Sequence, residues 1–209
     1  MTIGMKILDI SPRITPRIGV WPGDVPYSRE VALAIGKGDN IGLSAVRSTV
    51  HLGAHTDAPI HYVAGGAGIA DRPLELYYGP CQVVAVSLAR GERIHPSHLR
   101  DRIQAPRVLF KTGSFPDPER FNTDFNSLSP ELIDHLSTLR LVGIDTPSID
   151  PFEDKVLESH QAVARHDMGI LEGIVLTHVP PGHYTLIALP LALDGADASP
   201  VRAVLIAGA

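Results

Sequence analysis

The 209-residue sequence has little cysteine, few aromatic residues and no long hydrophobic run. Its single cysteine, Cys81, excludes an intramolecular disulfide and is typical of proteins from a reducing compartment. The longest apolar stretches, such as residues 186–193, are too short to span a bilayer. The opening residues lack the basic and apolar regions of a signal peptide. We therefore expect a cytoplasmic protein without a membrane anchor.

Positive charge is also scarce. The formal net charge is −5, and no cluster of lysine and arginine is present that could neutralise phosphates, so we expect no nucleic-acid partner. The sequence has no G-x-S-x-G segment either, which leaves hydrolysis by a serine nucleophile without support. Histidine, in contrast, is abundant at 10 residues, and its spacing is the first indication of a site.

Short segments rich in β-branched residues predict more strands than helices. The predicted strands are Lys6–Ile10, Ser44–Leu52, Gln82–Leu88, Arg107–Lys111, Leu141–Ile144, Gly173–Thr177, Tyr184–Leu189 and Val201–Ile206. The predicted helices are Ser129–Leu139, which opens with an N-cap serine and a proline, Glu158–Asp167, and a shorter one at Ser97–Ile103. The pattern indicates one α/β domain over residues 1–209 with a mixed sheet.

The segment HLGAHTDAPIH, residues 51–61, contains the strongest candidate site. In an extended backbone His51, His55, Asp57 and His61 all project from one face, because alternate residues share a face. Two imidazoles and a carboxylate suit Zn²⁺, Mn²⁺ or Fe²⁺, and three protein ligands leave room for a catalytic water. The spacing predicts a metal site on the first three of these residues. The alternative is a half-buried strand whose histidines form ordinary hydrogen bonds.

A second group of titratable residues lies downstream and includes His160, His166 and Glu172. One straight helix would not bring His160 and Glu172 together. A helix that breaks near Gly169 and returns as a strand could do so. On spacing alone, a surface helix with scattered polar residues is the simpler interpretation.

Trp21 is the only tryptophan and lies in the sequence Trp21-Pro22-Gly23-Asp24. Proline followed by glycine favours a type II turn, which would present the indole at a loop tip. There the ring either covers an edge of the core or stacks on an aromatic ligand.

The segment HLGAHTDAPIHY resembles the HxGxHxDxPxH signature of the cyclase-like metal-dependent hydrolases. The resemblance covers nearly the whole chain, including WPGDVP at 21–26, LVGIDTPSIDP at 141–151 and LESHQAVARHDMGILEG at 157–173. Within that family, the combination of WPGD, GIDTPSID and RHDMGILEG is similar to the bacterial kynurenine formamidases. The resemblance implies hydrolysis of N-formyl-L-kynurenine to L-kynurenine and formate by a homodimer whose α/β fold has a mixed, barrel-like sheet core.

The resemblance also implies roles for individual residues. It implies a site for two zinc ions, in which Asp57 bridges the ions, His51 and His55 complete the first set of ligands, and His160 and Glu172 complete the second. His61 would be the general acid and base, and Trp21 would contact the aromatic substrate.

Two other functions stay open. One is a different cyclase-like amide or lactam hydrolase, similar to the isatin hydrolases, with a single Mn²⁺. The other is a protein that binds a metal or an aromatic ligand without catalysis. No role follows from the sequence for the segment Phe115–Phe125 or for Asp145, Ser148, His166 and Arg202.

Overall fold

The structure is a computed structural model that describes residues 6–100 and 102–208. Its strands are β1 Lys6–Asp9, β2 Ser28–Leu33, β3 Leu43–Arg47, β4 His55–Asp57, β5 Tyr78–Ala85, β6 Arg93–Ile94, β7 Arg107–Lys111, β8 Ser127–Leu128, β9 Leu141–Ile144, β10 Gly169–Leu171, β11 Gly182–Ile187, β12 Ala198–Pro200 and β13 Val204–Ala207. The α-helices are α1 Pro130–His135 and α2 Glu158–Arg165, and short 3-10 helices lie at Ile35–Lys37, Pro59–His61, Ile69–Asp71, Leu74–Leu76 and Pro96–His98.

A seven-stranded mixed sheet in the order β1-β13-β11-β5-β7-β9-β10 forms the centre of the fold. The strands from β1 to β5 pair antiparallel, and those from β5 to β10 pair parallel. A mixed sheet with few helices confirms the predicted fold class.

The parallel half of the sheet places three chain segments at one edge. Residues that follow β7, β9 and β10 all leave the sheet at its carboxyl edge, because these strands run in the same direction. They are the phenylalanine-rich segment after Lys111, the segment after Ile144 and the residue Glu172. Ligands in α/β proteins commonly bind at this edge of a parallel sheet. The short β4 is held beside it by an isolated bridge between His55 and Glu172.

Two buried apolar clusters flank the sheet. One contains Tyr77, Leu109 and Leu186, and the other contains Phe110 together with residues of both α-helices. Burial of such side chains stabilises each by about 1.5–3 kcal/mol. The helix α1 begins as predicted, because Ser129 Oγ accepts a hydrogen bond from Leu132 N at 3.1 Å.

Three predicted elements differ most from the structure, whereas the others either match or have ends shifted by one to four residues. The strand predicted over Ser44–Leu52 ends at Arg47, because the hydroxyl of Thr49 accepts a hydrogen bond from His51 N and bends the chain. The strand predicted over Gly173–Thr177 is absent, since Gly173 has a φ of 64° and cannot continue an extended path. The described residues of the helix predicted over Ser97–Ile103 form only the end of the 3-10 turn Pro96–His98, whose extended C-cap residue Leu99 stops it, and residue 101 lies outside the described residues.

The hairpin formed by β2 and β3 projects from the rest of the chain. Every residue of β3 is exposed, and β2 is exposed except at its last residue. Val31, Leu43 and Val46 have 48%, 51% and 65% of their surface exposed. The hairpin therefore presents apolar side chains with about half or more of their surface exposed. Neither α-helix in the described ranges has the length and apolar character that a membrane crossing requires.

Candidate metal centre and aromatic cavity

A cavity of about 430 Å³ opens beside the carboxyl edge of the parallel strands. Its polar floor contains His51, His55, Asp57, His160 and Glu172, and a wall of aromatic and aliphatic side chains rises from it. The volume lies within the range of roughly 300–1,000 Å³ that is usual for small-molecule sites. The predicted site residues from both parts of the sequence therefore meet in one place.

The segment 51–61 reaches the cavity by a bent path rather than as one extended strand. Only His55–Asp57 is a strand, and it pairs with β12. His51 precedes this strand in a turn, and His61 ends the 3-10 helix that follows it. The prediction of a continuous extended face is wrong, yet the four polar side chains that it grouped all line the cavity.

The downstream ligand candidates converge through a helix break. The helix α2 ends at Arg165, Asp167 has a φ of 49°, and β10 then returns toward the cavity. His160 on the helix and Glu172 after the strand are each 2% exposed. A Cβ atom at Gly173 would overlap the carbonyl oxygen of Gly53, so the close approach of these two turns requires glycine.

Asp57 lies at the centre of the cluster, and its two carboxylate oxygens face different partners. Oδ1 lies 3.0 Å from His51 Nδ1 and 3.5 Å from His55 Nε2, whereas Oδ2 lies 3.3 Å from His160 Nε2. Glu172 Oε2 lies 3.2 Å from His55 Nε2, and Glu172 Oε1 lies 3.7 Å from His160 Nε2. Two carboxylates and three imidazoles thus converge, and ligand atoms of His55, Asp57 and Glu172 all lie within 4.8 Å of one another.

Three histidines of the cluster, the buried His55 and His160 and the partly buried His51, are each oriented by an acceptor at the other ring nitrogen. His55 Nδ1 lies 2.9 Å from the carbonyl oxygen of Gly53, and His51 Nε2 lies 2.9 Å from Asp197 Oδ2. For His160, the acceptor is Asp150 Oδ2, which lies 2.7 Å from Nδ1. An imidazole that donates its one proton to such an acceptor presents a lone pair at the other nitrogen. In this cluster those lone pairs face carboxylate oxygens.

Lone pairs that face carboxylates require positive charge between them. Oδ1 of Asp57 is buried and, among the described residues, has no hydrogen-bond partner, although His51 Nδ1 lies close. A buried carboxylate in that state is costly unless a cation compensates it. Oxygen and imidazole nitrogen are the ligands that Zn²⁺, Mn²⁺ and Fe²⁺ accept. The residues present therefore fit a divalent metal ion.

The pKa shifts of His51, His160 and Asp57 also show that the cluster favours positive charge. Burial disfavours the imidazolium of His51, but the carboxylates of Asp57 and Asp197 outweigh it and raise its pKa to about 9. Burial acts likewise on His160, where Asp150 and Asp57 raise the pKa to about 10. Burial would raise the pKa of Asp57, yet the histidines hold it well below its usual range. Metal ions or protonated imidazoles can supply this charge.

The candidate ligand atoms form two groups when they are sorted by the distances between them. One group contains His51, Asp57 and His61, and the other contains His55, Asp57 and Glu172; within each group the ligand atoms lie within 4.8 Å of one another. Both groups share Asp57, as a bridging carboxylate would. His61 is the most open of the histidines in the cluster, with 33% of its side chain exposed. Burial is the largest influence on its pKa and lowers it.

Trp21 forms part of an aromatic wall of the cavity, of which the sequence predicted only Trp21. Its ring centroid lies 4.9 Å from that of Phe152 and 5.6 Å from that of Phe121, and all three rings line the cavity. Phe115, in the segment Phe115–Phe125 that has no predicted role, lines the cavity as well. The available signal was composition, since Phe115, Phe121 and Phe125 are three of the five phenylalanines.

Other residues without an assigned role have structural surroundings. Asp145 is buried and accepts hydrogen bonds from Thr112 and Gly113. His166 contacts Asp134 at the surface, and Arg202 pairs with Asp9. Ser148 is different, because it lines the cavity. Asp150, which holds His160, was missed although it stands in the quoted GIDTPSID segment.

The match to a family identifies the class of protein. The model of the Cyclase family matches residues 8–151, and the chain belongs to this family. A solved structure described as a potential metal-dependent hydrolase with cyclase activity is similar to the chain at 29% identity and a TM-score of 0.82, over 97% of this chain and 98% of that one. The class of protein is thus the Cyclase family, and a solved structure with the same fold is described as a potential metal-dependent hydrolase.

Further solved structures have the same fold. A predicted metal-dependent hydrolase from Bacillus stearothermophilus is 28% identical, with a TM-score of 0.81 and coverage of 97% of this chain and 98% of that chain. Isatin hydrolase A from Labrenzia aggregata is 21% identical, with a TM-score of 0.79 and coverage of 97% and 93%. At that identity the likeness to the isatin hydrolase shows the fold alone.

The contact between Asp150 and His160 gives a testable prediction. We expect Asp150→Asn to weaken metal affinity roughly 10- to 100-fold, because the amide no longer fixes the ring and its tautomer as the carboxylate does. Titration of metal-free protein with Zn²⁺ or Mn²⁺ measures the change. Asp134→Asn is the matched control, since it removes a carboxylate from a histidine outside the cluster. Equal affinities for both variants would contradict the prediction.

Proposed function

We propose that the protein hydrolyses N-formyl-L-kynurenine to L-kynurenine and formate in the cytoplasm. The observation that carries the proposal is that the candidate metal ligands and a wall of aromatic side chains line the same cavity. An aryl formamide matches both features, since it has an aromatic ring to stack and a small polar carbonyl to reach the floor. The sequence resemblance to the kynurenine formamidases supports the same substrate.

The proposed metal content is two zinc ions that share Asp57. The two oxygens of Asp57 face different histidines, which supports a bridging role. His51 and His55 would complete the first set of ligands, and His160 and Glu172 the second. When bound, such ions lower the pKa of a water molecule and polarise a carbonyl group. Glu172 Oε1 already accepts a hydrogen bond from Ile149 N at 2.6 Å, which fixes the orientation of the carboxylate.

His61 is the proposed carrier of the proton. Its Nδ1 faces Asp197 Oδ2 at 3.5 Å, so the other ring nitrogen is the one available to a substrate. That nitrogen would take a proton from the attacking water and deliver it to the departing aryl nitrogen. His61 is also more exposed to the cavity than the buried ligand candidates, as a residue that exchanges a proton must be.

The aromatic wall would bind the substrate ring and limit access of water. Trp21 and Phe152 are inclined by 31°, and Phe121 meets Trp21 edge-on at 77°. Such pairs prefer offset or edge-to-face contacts, and each is worth about 0.5–1.5 kcal/mol beyond the area it buries. The indole is therefore held in place before a ligand enters. A ring stacked there places its formamido group toward the histidines of the floor.

A chelation experiment tests the proposal. We expect the protein to hydrolyse N-formyl-L-kynurenine, followed by the absorbance of L-kynurenine, and to lose this activity after a chelator removes the metal. Zinc should restore it, and elemental analysis of the same sample should give two ions per chain. Full activity after verified metal removal would rule out metal-dependent hydrolysis.

Replacement of His61 separates an enzyme from a binding protein. His61→Ala should lower turnover by roughly 10²- to 10⁴-fold, because it removes the proposed acid and base. The metal content should change little. His178→Ala is the control, since His178 is exposed and does not line the cavity. An unchanged turnover in His61→Ala would assign proton transfer to another group.

Hydrolysis of an isatin-like lactam is the second candidate. The fold shared with isatin hydrolases and the aromatic wall favour it. The same assays decide between the two functions, since isatin hydrolysis with one Mn²⁺ per chain and no activity on the formamide would replace the proposal. A cavity that binds metal and aromatic ligand but turns over neither compound would indicate a binding protein.

We also propose that the protein is a homodimer in which the hairpin of β2 and β3 contacts a second copy. An isolated two-stranded hairpin is marginally stable in water and needs apolar cover. Here the exposed Val31 and Val46 are available for that contact. The resemblance to a dimeric family agrees with this assignment.

Mass measurement in solution tests the dimer. We expect the wild-type protein at micromolar concentration to have the mass of two chains, and Val46→Glu to shift it toward the monomer, because a buried unpaired carboxylate is costly. Leu74→Glu is the control, since Leu74 is 54% exposed at another place. A monomeric wild-type protein would contradict the proposal.

A further inference from the structure

The cavity is lined by two oppositely charged side chains that do not belong to the candidate metal ligands. Asp24 and Lys155 both line it, together with Trp21 and Phe152. A third charged residue, Asp154, also lines the cavity, but Arg93 Nη2 binds it at 2.8 Å. Within the described ranges, neither Asp24 nor Lys155 forms an ion pair. Among the residues that the structure describes, the Asp24 side chain has one hydrogen bond, which Oδ1 accepts from Val25 N at 3.1 Å, and Oδ2 stays available.

Asp24 ends one turn, Lys155 directly follows another, and the two turns pack on each other. Asp24 N donates to Trp21 O at 2.9 Å, which closes the first turn, and Asp154 N donates to Pro151 O at 3.0 Å, which closes the second. The rings of Trp21 and Phe152, whose centroids are 4.9 Å apart, join the turns. Each turn thus contributes one ring to the aromatic wall and one charged residue close to it in sequence.

We propose that Asp24 and Lys155 bind the zwitterionic head of an α-amino acid substrate, with Lys155 facing the carboxylate and Asp24 facing the ammonium group. The inference rests on the proposed function and deepens it. A substrate whose ring stacks on Trp21 and whose formamide reaches the metal cluster carries its amino acid group elsewhere. The unpaired charges of the same cavity are complementary to that group in sign. Isatin has no such group, so the pair would select between the two candidate substrates.

The strength of this recognition should be moderate. Ion pairs at exposed positions contribute little because water screens them, and Lys155 is exposed. Hydrogen bonds to charged groups contribute more where a cavity excludes part of the solvent. We therefore expect about a threefold to tenfold effect for each residue, mainly on KM, since the head lies apart from the reacting carbonyl.

Three substrates that differ only in the head test the proposal. N-formyl-L-kynurenine carries both charges, N-formylkynuramine keeps the amine without the carboxylate, and N-(2-acetylphenyl)formamide carries neither. The variants are Lys155→Met, which keeps most of the stem, and Asp24→Asn, which keeps an acceptor for Val25 N. Lys155→Arg tests rescue by a conserved charge. Lys6→Met and Asp71→Asn are matched controls, because both residues are exposed and do not line the cavity.

The expected result depends on the substrate. Lys155→Met should lower kcat/KM about threefold to tenfold for N-formyl-L-kynurenine and less than twofold for the two compounds without the carboxylate. Asp24→Asn should lower it for both compounds that carry the amine. Lys155→Arg should recover most of the loss. Equal losses on all three substrates would indicate a structural role, and no loss on N-formyl-L-kynurenine would show that the head is not bound here.

The wild-type protein separates this proposal from the proposed function. Hydrolysis of N-formyl-L-kynurenine with unaffected variants would overturn only the assignment of Asp24 and Lys155. Absence of hydrolysis of N-formyl-L-kynurenine by metal-loaded wild-type protein would overturn the function itself, and the assignment that rests on it.

Discussion

The carboxylate of Asp57 is the group on which the arrangement of the site depends. It is 2% exposed, and it stands between His51 and His55 on one side and His160 on the other. Burial of a charge of this kind is tolerated only where the surroundings compensate it. Imidazole rings next to the carboxylate provide this compensation, and hydrogen-bond acceptors at the other nitrogen of each ring hold the imidazoles in position. A divalent cation, or protonation of the imidazoles, would complete the arrangement, because neutral imidazoles alone set lone pairs against carboxylate oxygens.

The sheet explains why residues so distant in sequence reach this carboxylate. Parallel pairing of β7, β9 and β10 brings the ends of three strands to one edge. From there the chain contributes the phenylalanine-rich segment, Asp150 and Glu172 in turn. The bridge between His55 and Glu172 then attaches the metal segment to that edge. Strands therefore position His55 and Glu172 on the polar side of the cavity, while turns outside the strands carry Trp21 and Phe152 of the aromatic side.

The sequence predicted the fold class and the members of the cluster better than the path of the chain between them. Exact strand limits at Arg107–Lys111 and Leu141–Ile144 follow from continuous apolar runs buried on both faces. The strand predicted at Gly173–Thr177 failed because buried Ile174 and Leu176 alternate like strand residues, whereas the φ of Gly173 is fixed by its approach to Gly53. Such a tertiary contact leaves no local trace in the sequence.

The same distinction applies to the site. Candidate metal ligands can be predicted from residue type and spacing, because coordination of these metals requires imidazole or carboxylate groups. The groups that orient them do not, since a backbone carbonyl or any nearby carboxylate can accept a hydrogen bond from the ring. Asp150 and Asp197 therefore became recognisable only from the distances to His160 and His51. Substrate recognition is more distant still from sequence pattern, because a single Lys155 or Asp24 acquires meaning only when a turn places it beside an aromatic ring. For this reason the family match defines the class of the chain, whereas the proposed choice of substrate depends on a few residues at the cavity wall.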